Sequence, residues 1–437
     1  MTQASTIDSN LVGIQAIEAD ICAGKFAEAA AAINAMIVAS PSDPRIYLSA
    51  AMLARAARNP KQEIISLQYA VAAAPQWPPA HGELAKALSR EGHHGNAVAL
   101  ANRAVELAPQ EMATIEVAVA VANAAGDFAT AQRHLQSALA LRPSDSSIRK
   151  ALGICLERQG RFGEAEPHWR AMLEQNPDDA SALGWLGLCL IGLDRKSEAC
   201  VVLQRAVTLW PEHPSLPFHL AVARGETPST QPREMIQQLF DGYAGRFDQH
   251  LVQQLKYDVP KRVAKIIRER HPGLDVSVLD LGCGTGLLGA NLGRIGRAFV
   301  GVDVSPRMIE HAARHNVYTE LRETDLLDEL RRTTADSFDC VTANDVFIYV
   351  GDLSEVIPSA FKVLRSGGAL IFSCETADES EGALVLRPSK RYAHSRSSVE
   401  ALCQRAGFGN CDIAPIELRF DLGNVPIVGF MVVAQKR

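Results

Sequence analysis

In the first half of the chain, small and apolar residues recur at helical spacing, and the whole pattern repeats every 34 residues. Prolines mark this period at positions 41, 75, 109, 143, 177 and 211. Because a proline cannot continue an α-helix, each one is expected to follow the second helix of a pair. Alanines recur twelve and five residues before most of these prolines, where small side chains let neighbouring helices approach closely. The pattern predicts an α-solenoid of six helix pairs.

From residue 276 onward, the apolar positions form short runs that alternate with helical patterns. The runs that predict strands span 276–281, 299–303, 319–324, 338–343, 368–374, 410–418 and 427–434. Helical spacing between them, for example over 287–292, predicts a doubly wound, Rossmann-like α/β sheet of seven strands. The last two strands could form an antiparallel hairpin.

The 34-residue period resembles the tetratricopeptide repeat (TPR), a helix–turn–helix unit. We expect six repeats and a covering helix over 10–224, a turn-rich linker over 225–232 and a second domain over 233–437. The second repeat is the least regular, because Glu63 replaces an alanine and Pro60 falls in the turn. The resemblance implies a concave surface that binds a protein or peptide partner, or that mediates self-association. A rigid spacer is the alternative.

Residues 278–286 read Val-Leu-Asp-Leu-Gly-Cys-Gly-Thr-Gly, which predicts a strand that runs into a glycine-rich turn. The glycines at 282, 284 and 286 allow the backbone to approach a ligand closely, where a Cβ atom would clash. The next strand ends at Asp303, whose two oxygens can accept hydrogen bonds from both hydroxyls of a ribose. Strand, turn, helix and carboxylate together predict a βαβ unit that binds a nucleoside.

Residues 284–289 also match the dinucleotide pattern G-x-G-x-x-G, which would indicate a nicotinamide-dependent oxidoreductase. Asp280 argues against that function, because a carboxylate just before the glycines repels a pyrophosphate and attracts an ammonium group. Asp325 follows the third predicted strand, where it is placed to meet an adenine amino group. Both carboxylates therefore disfavour a dinucleotide.

This set of glycines and strand-end carboxylates resembles class I S-adenosylmethionine-dependent methyltransferases, which transfer a methyl group directly to an acceptor. The resemblance implies a cofactor site formed by Asp280, Gly282, Cys283, Gly284, Gly286, Asp303, Val304, Met308, Asp325, Leu326 and Asn344. In that site Asp280 and the glycine turn hold the methionyl part, and Asp303 holds the ribose. Val304 and Met308 flank the adenine, and Asp325 binds its amino group beside the Leu326 backbone. Asn344 lies under the sulfonium edge. For Met308, packing within the core of a helix is an equal alternative to contact with the adenine.

The segment 235–260 extends the resemblance to the predicted TPR-repeat methyltransferases, which have the same order of domains. By this resemblance Tyr243 and Phe247 cover the cofactor, with simple packing as the alternative. The acceptor site would be lined by residues that follow the fourth strand or precede the last helix, namely Asp345, Tyr349, Arg391, Tyr392 and His394. Asp345 and His394 are candidate general bases for a small-molecule or protein acceptor. A solvated loop over 390–396 and a structural role for Asp345 are the alternatives.

Charge, cysteine content and hydropathy argue against several functional classes for this chain. A net charge of −6 without a long basic run argues against nonspecific nucleic-acid binding. The nine cysteines lack paired C-x-x-C spacing, which predicts reduced thiols in a cytoplasmic protein and no metal site. No signal peptide or apolar span of about 18 residues is evident, so we expect no membrane contact. A protein that binds partners and cofactor without turnover is the alternative to an enzyme.

Overall fold

The computed structural model describes residues 9–243, 256–420 and 425–437. The chain divides into two compact units, Met1–Leu193 and Asp194–Arg437. The first unit is helical, and the second carries the sheet. The proposed linker at 225–232 therefore lies inside the second unit, and its role as a domain boundary stays a prediction.

The helices of the first unit alternate with short turns, as the 34-residue period predicts. They are Ser9–Cys22 (α1), Phe26–Ala39 (α2), Pro44–Ala56 (α3), Pro60–Ala73 (α4), Pro78–Arg90 (α5), His94–Leu107 (α6), Met112–Ala125 (α7), Phe128–Leu141 (α8), Ser146–Arg158 (α9), Phe162–Gln175 (α10) and Ala180–Gly192 (α11). Pro41, at the start of the series, stands two residues beyond the end of α2, and the later prolines of the unit follow α4, α6, α8 and α10 in the same way. The TPR prediction is thus confirmed at the level of secondary structure.

The irregular second repeat keeps the same helix pair. Pro60 occupies the first turn of α4. A proline is tolerated there because the backbone N–H groups of the first turn have no partner within the helix, so the missing N–H group costs no hydrogen bond. The Glu63 side chain is buried, and its Oε1 lies 2.7 Å from Arg55 Nε and 2.5 Å from Arg90 Nη2. Two guanidinium groups therefore compensate the burial of a carboxylate at a position that other repeats fill with alanine.

The second unit begins with helices and continues into alternating strands and helices. Its helices are Lys196–Leu209 (α12), Leu216–Ala223 (α13), Arg233–Tyr243 (α14), Val259–Arg270 (α15), Leu287–Leu292 (α16), Pro306–Ala313 (α17), Leu326–Arg332 (α18), Val356–Val363 (α19) and Arg396–Ala406 (α20). Its strands are Val278–Leu281 (β1), Phe299–Asp303 (β2), Glu320–Glu323 (β3), Phe338–Ala343 (β4), Leu364–Thr376 (β5), Leu384–Leu386 (β6), Tyr392–His394 (β7), Phe408–Phe420 (β8) and Pro426–Lys436 (β9). No helix of the described residues is long and apolar enough to cross a membrane.

The sheet has the doubly wound order, with β3, β2, β1, β4 and β5 parallel to one another. The last two predicted strands form an antiparallel hairpin, β8–β9, and β9 pairs with β5. Strand order reverses between β1 and β4, and such switch points are where ligands bind. The predicted α/β fold is therefore confirmed.

Two short strands, β6 and β7, come in addition to the seven that the sequence predicts. Glu375 of β5 pairs with Gly429 of β9 on one edge and with Ala393 of β7 on the other. Strand β7 therefore pairs with the same edge of β5 as β4 does, at the end of β5 that extends beyond β4. All three residues of β7 are buried, so the alternative of a solvated loop over 390–396 is wrong.

Candidate functional site

The glycine-rich turn lies between the carboxyl end of β1 and the start of α16. Gly282, Gly284 and Gly286 all have positive φ angles, of 62°, 54° and 85°. A Cβ atom on Gly282 would lie 2.6 Å from the Val346 side chain, and one on Gly286 would lie 3.0 Å from Ala312 Cα. The backbone conformation and these protein neighbours favour glycine at both positions, and the predicted close approach to a ligand stays a prediction.

Asp280 is the last polar residue of β1, and its carboxylate is almost completely buried. Oδ1 accepts hydrogen bonds from Thr342 Oγ1 at 2.8 Å and from Asn344 Nδ2 at 3.3 Å. Oδ2 accepts one from the Tyr318 hydroxyl at 2.9 Å. Burial raises the pKa of Asp280 to about 6, although these hydrogen bonds oppose the shift.

Asp303 ends β2 and faces the same turn. Its Oδ2 accepts a hydrogen bond from the Gly284 amide, and its Oδ1 accepts one from the Ser305 amide, both at 2.9 Å. Burial raises the pKa of Asp303 to about 6, and the neighbouring Asp241 of α14 adds to the shift. The Val304 amide also hydrogen-bonds this carboxylate, and with about four lone-pair positions the group can still accept a ribose hydroxyl.

The remaining predicted cofactor residues surround these two carboxylates. Asp325 caps α18, since its Oδ1 accepts a hydrogen bond from the Leu327 amide at 2.8 Å. Val304 and Leu326 are half-buried, whereas Met308 is fully buried, and its role beside the adenine stays a prediction. Asn344 Oδ1 is buried and has no hydrogen-bond partner among the described residues. An unpaired acceptor of this kind fits a site that a ligand completes.

Three further residues of the predicted cofactor site are Cys283, Tyr243 and Phe247. Burial raises the pKa of the Cys283 thiol well above its usual value, so this thiol stays protonated. Phe247 and the side chain of Tyr243 lie outside the described residues. Their predicted contact with the cofactor stays a prediction.

The predicted acceptor residues Asp345, Tyr349 and Arg391 meet beyond the end of β4. Asp345 adopts a positive φ of 59°, and its amide donates to Ser373 Oγ at 2.9 Å. Burial raises the pKa of the Tyr349 phenol, while a hydrogen bond with Arg391 opposes the shift. Arg419 of β8 donates from Nη1 to Asp345 Oδ2. The site thus combines carboxylates, guanidinium groups and a neutral phenol in a buried setting.

Family models match two separate parts of the chain. Residues 279–372 match the family described as "Methyltransferase domain". Residues 21–78, 121–169, 156–214 and 78–111 match tetratricopeptide repeat families. The chain contains a methyltransferase domain and an N-terminal TPR array.

Among curated proteins, the chain is 33% identical over 138 residues to a mitochondrial ubiquinone biosynthesis O-methyltransferase of Homo sapiens. That match covers 30% of this chain and 37% of the relative. The enzyme of the same name from Proteus mirabilis is 32% identical over 111 residues, covering 24% of this chain and 45% of the relative. The chain thus spans less than half the length of either relative.

Two solved structures are among those similar to this chain. Magnesium protoporphyrin IX methyltransferase from Synechocystis PCC 6803, with bound SAH, is 18% identical with a TM-score of 0.37, over 47% of this chain and 99% of that one. The TPR protein YrrB, described as having an unusual peptide-binding site, is 19% identical with a TM-score of 0.38, over 44% of this chain and 97% of that one.

Two predicted acceptor residues of the methyltransferase domain contact the chain just before α14 and the loop after β4. The Tyr392 hydroxyl donates to Pro228 O at 2.8 Å, and its ring is fully buried. His394 Nε2 donates to Gly351 O at 2.8 Å, so this nitrogen carries the proton, and burial lowers the pKa of the ring. Neither side chain bonds Asp345 within the described part of the chain. The role of His394 as a base stays a prediction.

Sequence reasoning missed several residues that shape this site. Tyr318, just before β3, donates to Asp280 and accepts from the Gly289 amide at 3.2 Å. Tyr257 donates to Asn344 O at 3.2 Å, which links the helix α15 region to the end of β4. Arg419 and Glu375 come from strands far along the chain. No local sequence motif marks these two residues. In the structure, Arg419 is buried and lies at a register shift in β8.

Proposed function

We propose that this chain is an S-adenosylmethionine-dependent methyltransferase. The observation that carries the proposal is the pair of buried carboxylates, Asp280 and Asp303, on either side of the glycine turn. Neither carboxylate forms a salt bridge with an Arg or Lys side chain among the described residues. Two uncompensated buried carboxylates favour a cationic ligand and oppose the two phosphates of a dinucleotide.

S-adenosylmethionine fits these residues, since it carries an ammonium group and a sulfonium and supplies an activated methyl group. Asp280 and the unpaired Asn344 Oδ1 would hold its cationic part, and the remaining lone pairs of Asp303 would hold the ribose. Asp325 and the Leu326 backbone would bind the adenine. The chain itself contributes binding and alignment, which supply much of the rate in a direct transfer.

For the acceptor, we propose an oxygen nucleophile beside Asp345 and Tyr349. Asp345 Oδ1 is buried and has no hydrogen-bond partner among the described residues, so it can take up the proton that an acceptor hydroxyl loses. The relatives named ubiquinone biosynthesis O-methyltransferase support transfer to oxygen. The remaining candidates, Tyr392 and His394, would shape this site through the loop after β4.

Calorimetry with S-adenosylmethionine, S-adenosylhomocysteine and NAD tests the proposal. Asp303→Ala should weaken binding of the first two by about 2–3 kcal/mol, because two partly buried hydrogen bonds are lost. Asp275→Ala is the matched control, since Asp275 is an exposed carboxylate paired with Arg297 at the opposite end of the strands. Tight NAD binding without S-adenosylmethionine binding would refute the assignment.

Turnover needs its own measurement, because an interaction protein could bind the cofactor without using it. Purified protein, labelled S-adenosylmethionine and a small-molecule extract should yield a labelled product. Cofactor binding without any incorporation of label would favour the non-catalytic alternative.

We also propose that the TPR array binds a protein or peptide partner or a second copy of the chain, in the cytoplasm and without nucleic acid or membrane. The confirmed repeat architecture supports this, since solenoids expose a continuous concave surface. Light scattering and cross-linking of the full chain test it. A monomer whose array never cross-links to another protein would leave the array as a spacer.

A further inference from the structure

Helix α14 brings a third carboxylate to the edge of the sheet where Asp280 and Asp303 lie. Asp241, near the end of this helix, is half-buried, and its Oδ1 accepts a hydrogen bond from Ser305 Oγ at 2.6 Å. The backbone carbonyl of Asp241 accepts another from Arg307 Nη1 at 3.1 Å. These two hydrogen bonds hold the end of α14 against the start of α17.

Ser305 links Asp241 to the carboxylate that is predicted to bind the ribose. The Ser305 side chain is completely buried, and the Ser305 amide donates to Asp303 Oδ1 at 2.9 Å. One serine therefore bonds a carboxylate of β2 through its amide and a carboxylate of α14 through its hydroxyl. Burial is the main cause of the raised pKa of Asp303, and the negative charge of Asp241 adds to it, so the two groups interact.

The charges around Asp303 are negative or neutral. Asp280 and the Cys283 thiol also interact with Asp303, and the thiol stays protonated because burial raises its pKa. Arg307 bonds the backbone carbonyl of Asp241, and no Lys or Arg side chain pairs with the Asp241 carboxylate among the described residues. Three carboxylates from β1, β2 and α14 therefore face one region, and a positively charged ligand there is favoured over a neutral one.

The other contact of α14 places this helix across the switch point of the sheet. The Phe240 ring packs edge-on against the Tyr349 ring, with 5.3 Å between the centroids. Neighbouring residues of one helix thus contact the loop after β4 and the start of α17, which follows β2. Ligands of doubly wound sheets bind at the switch point between such loops, so a bound cofactor lies beside α14.

We propose that Asp241 is a specificity-determining residue that favours S-adenosylmethionine over its product S-adenosylhomocysteine. The two ligands differ by one methyl group and one positive charge, which is on the sulfur atom next to the ribose. The Asp241 carboxylate is held beside the ribose site by Ser305, so it attracts the charged cofactor and not the neutral product. This inference rests on the proposed methyltransferase function and assigns to α14 a residue that discriminates between cofactor and product.

The first test measures both affinities by calorimetry at neutral pH. Asp241→Asn removes the charge and keeps an oxygen that can accept from Ser305 Oγ. The matched control is Glu234→Gln, which removes the same charge from an exposed position in the first turn of α14. The ratio of the affinities for S-adenosylmethionine and S-adenosylhomocysteine should fall about threefold or more in Asp241→Asn, because a half-buried charge is only partly screened. The control should keep the ratio, and an unchanged ratio in Asp241→Asn would overturn the proposal.

The second test follows the affinity for S-adenosylmethionine as a function of pH. This affinity should rise as Asp280 and Asp303 ionise, since ionised carboxylates attract a cation. Without the charge of Asp241, Asp303 ionises more easily, so the rise should move to lower pH in Asp241→Asn. A purely structural role of Asp241 would weaken binding by the same factor at every pH. A pH midpoint that does not move therefore contradicts the proposal.

The third test uses the unmodified chain and decides the question even if Asp241→Asn does not fold, which circular dichroism shows. Amide hydrogen exchange in α14 should be slower at saturation with S-adenosylmethionine than with S-adenosylhomocysteine, because attraction to the added charge stabilises the bound helix. Equal exchange with the two ligands would overturn the proposal.

The same measurements separate this proposal from the proposed function. If the unmodified chain binds neither ligand, the methyltransferase assignment itself fails. If it binds both, and folded Asp241→Asn keeps the ratio and the pH midpoint of the unmodified chain, only the role of Asp241 fails.

Discussion

The segment before α14 is bonded to the methyltransferase domain, which gives a quantitative prediction about truncation. The Tyr392 hydroxyl donates to Pro228 O at 2.8 Å, and the Asp352 amide donates to Ser229 O at 2.7 Å. The Gln231 side chain donates from Nε2 to Lys390 O, and the Gln231 backbone amide donates to Tyr349 O at 3.4 Å. Residues 228–231 therefore contact both the loop after β4 and the β6–β7 hairpin.

A fragment of residues 233–437 loses these hydrogen bonds, and a fragment of residues 226–437 keeps them. At roughly 1 kcal/mol of net stability for each good hydrogen bond, the shorter fragment should be less stable by about 3 kcal/mol. Typical domains have about 5–15 kcal/mol of unfolding free energy, so both fragments should fold and bind S-adenosylhomocysteine. Urea unfolding of the two fragments measures the difference.

A double-mutant cycle isolates the contribution of one contact. Tyr392→Phe should cost about 1 kcal/mol in the 226–437 fragment and almost nothing in the 233–437 fragment, where its partner is already absent. Fragments of equal stability would refute the reasoning about the 228–231 contacts. An unfolded 233–437 fragment would instead refute the predicted domain boundary.

Three further predictions concern the cofactor carboxylates. Tyr318→Phe should weaken S-adenosylmethionine binding by about 1–2 kcal/mol in calorimetry, because Asp280 and the Gly289 amide both lose a partner; unchanged affinity would leave Tyr318 as packing alone. The pKa values of Asp280 and Asp303 are raised from 3.8 to about 6, so the folded chain binds more protons than the unfolded chain between these values. The stability that these two groups contribute is therefore present below about pH 4 and is lost as pH rises through about 6. The loss is roughly 3 kcal/mol for each group. In urea unfolding, Asp303→Asn should remove the part of this pH dependence that comes from Asp303. Cofactor affinity should rise over the same range, because a cation favours the ionised carboxylates, and a flat calorimetric profile from pH 4 to 7 would contradict this.

The features that the sequence determined by itself are those set by local geometry. Helix pairs follow from prolines at a fixed period, since a proline ends a helix wherever the chain places it. The turn after β1 follows from Gly282, Gly284 and Gly286, because only glycine adopts these φ angles at so little cost. The positions of Asp280 and Asp303 follow from strand ends, since parallel strands bring their carboxyl ends to one edge of the sheet.

The tertiary structure alone decided which distant residues complete the site. Arg419 and Asp345 are 74 residues apart, and Tyr392 and Pro228 are 164 residues apart, so no local pattern links them. The β6–β7 hairpin is too short for a periodic signal, and it becomes visible only where β5 extends beyond β4. A buried arginine is stable only where a carboxylate faces it, and strand pairing across the whole sheet brings Asp345 to Arg419.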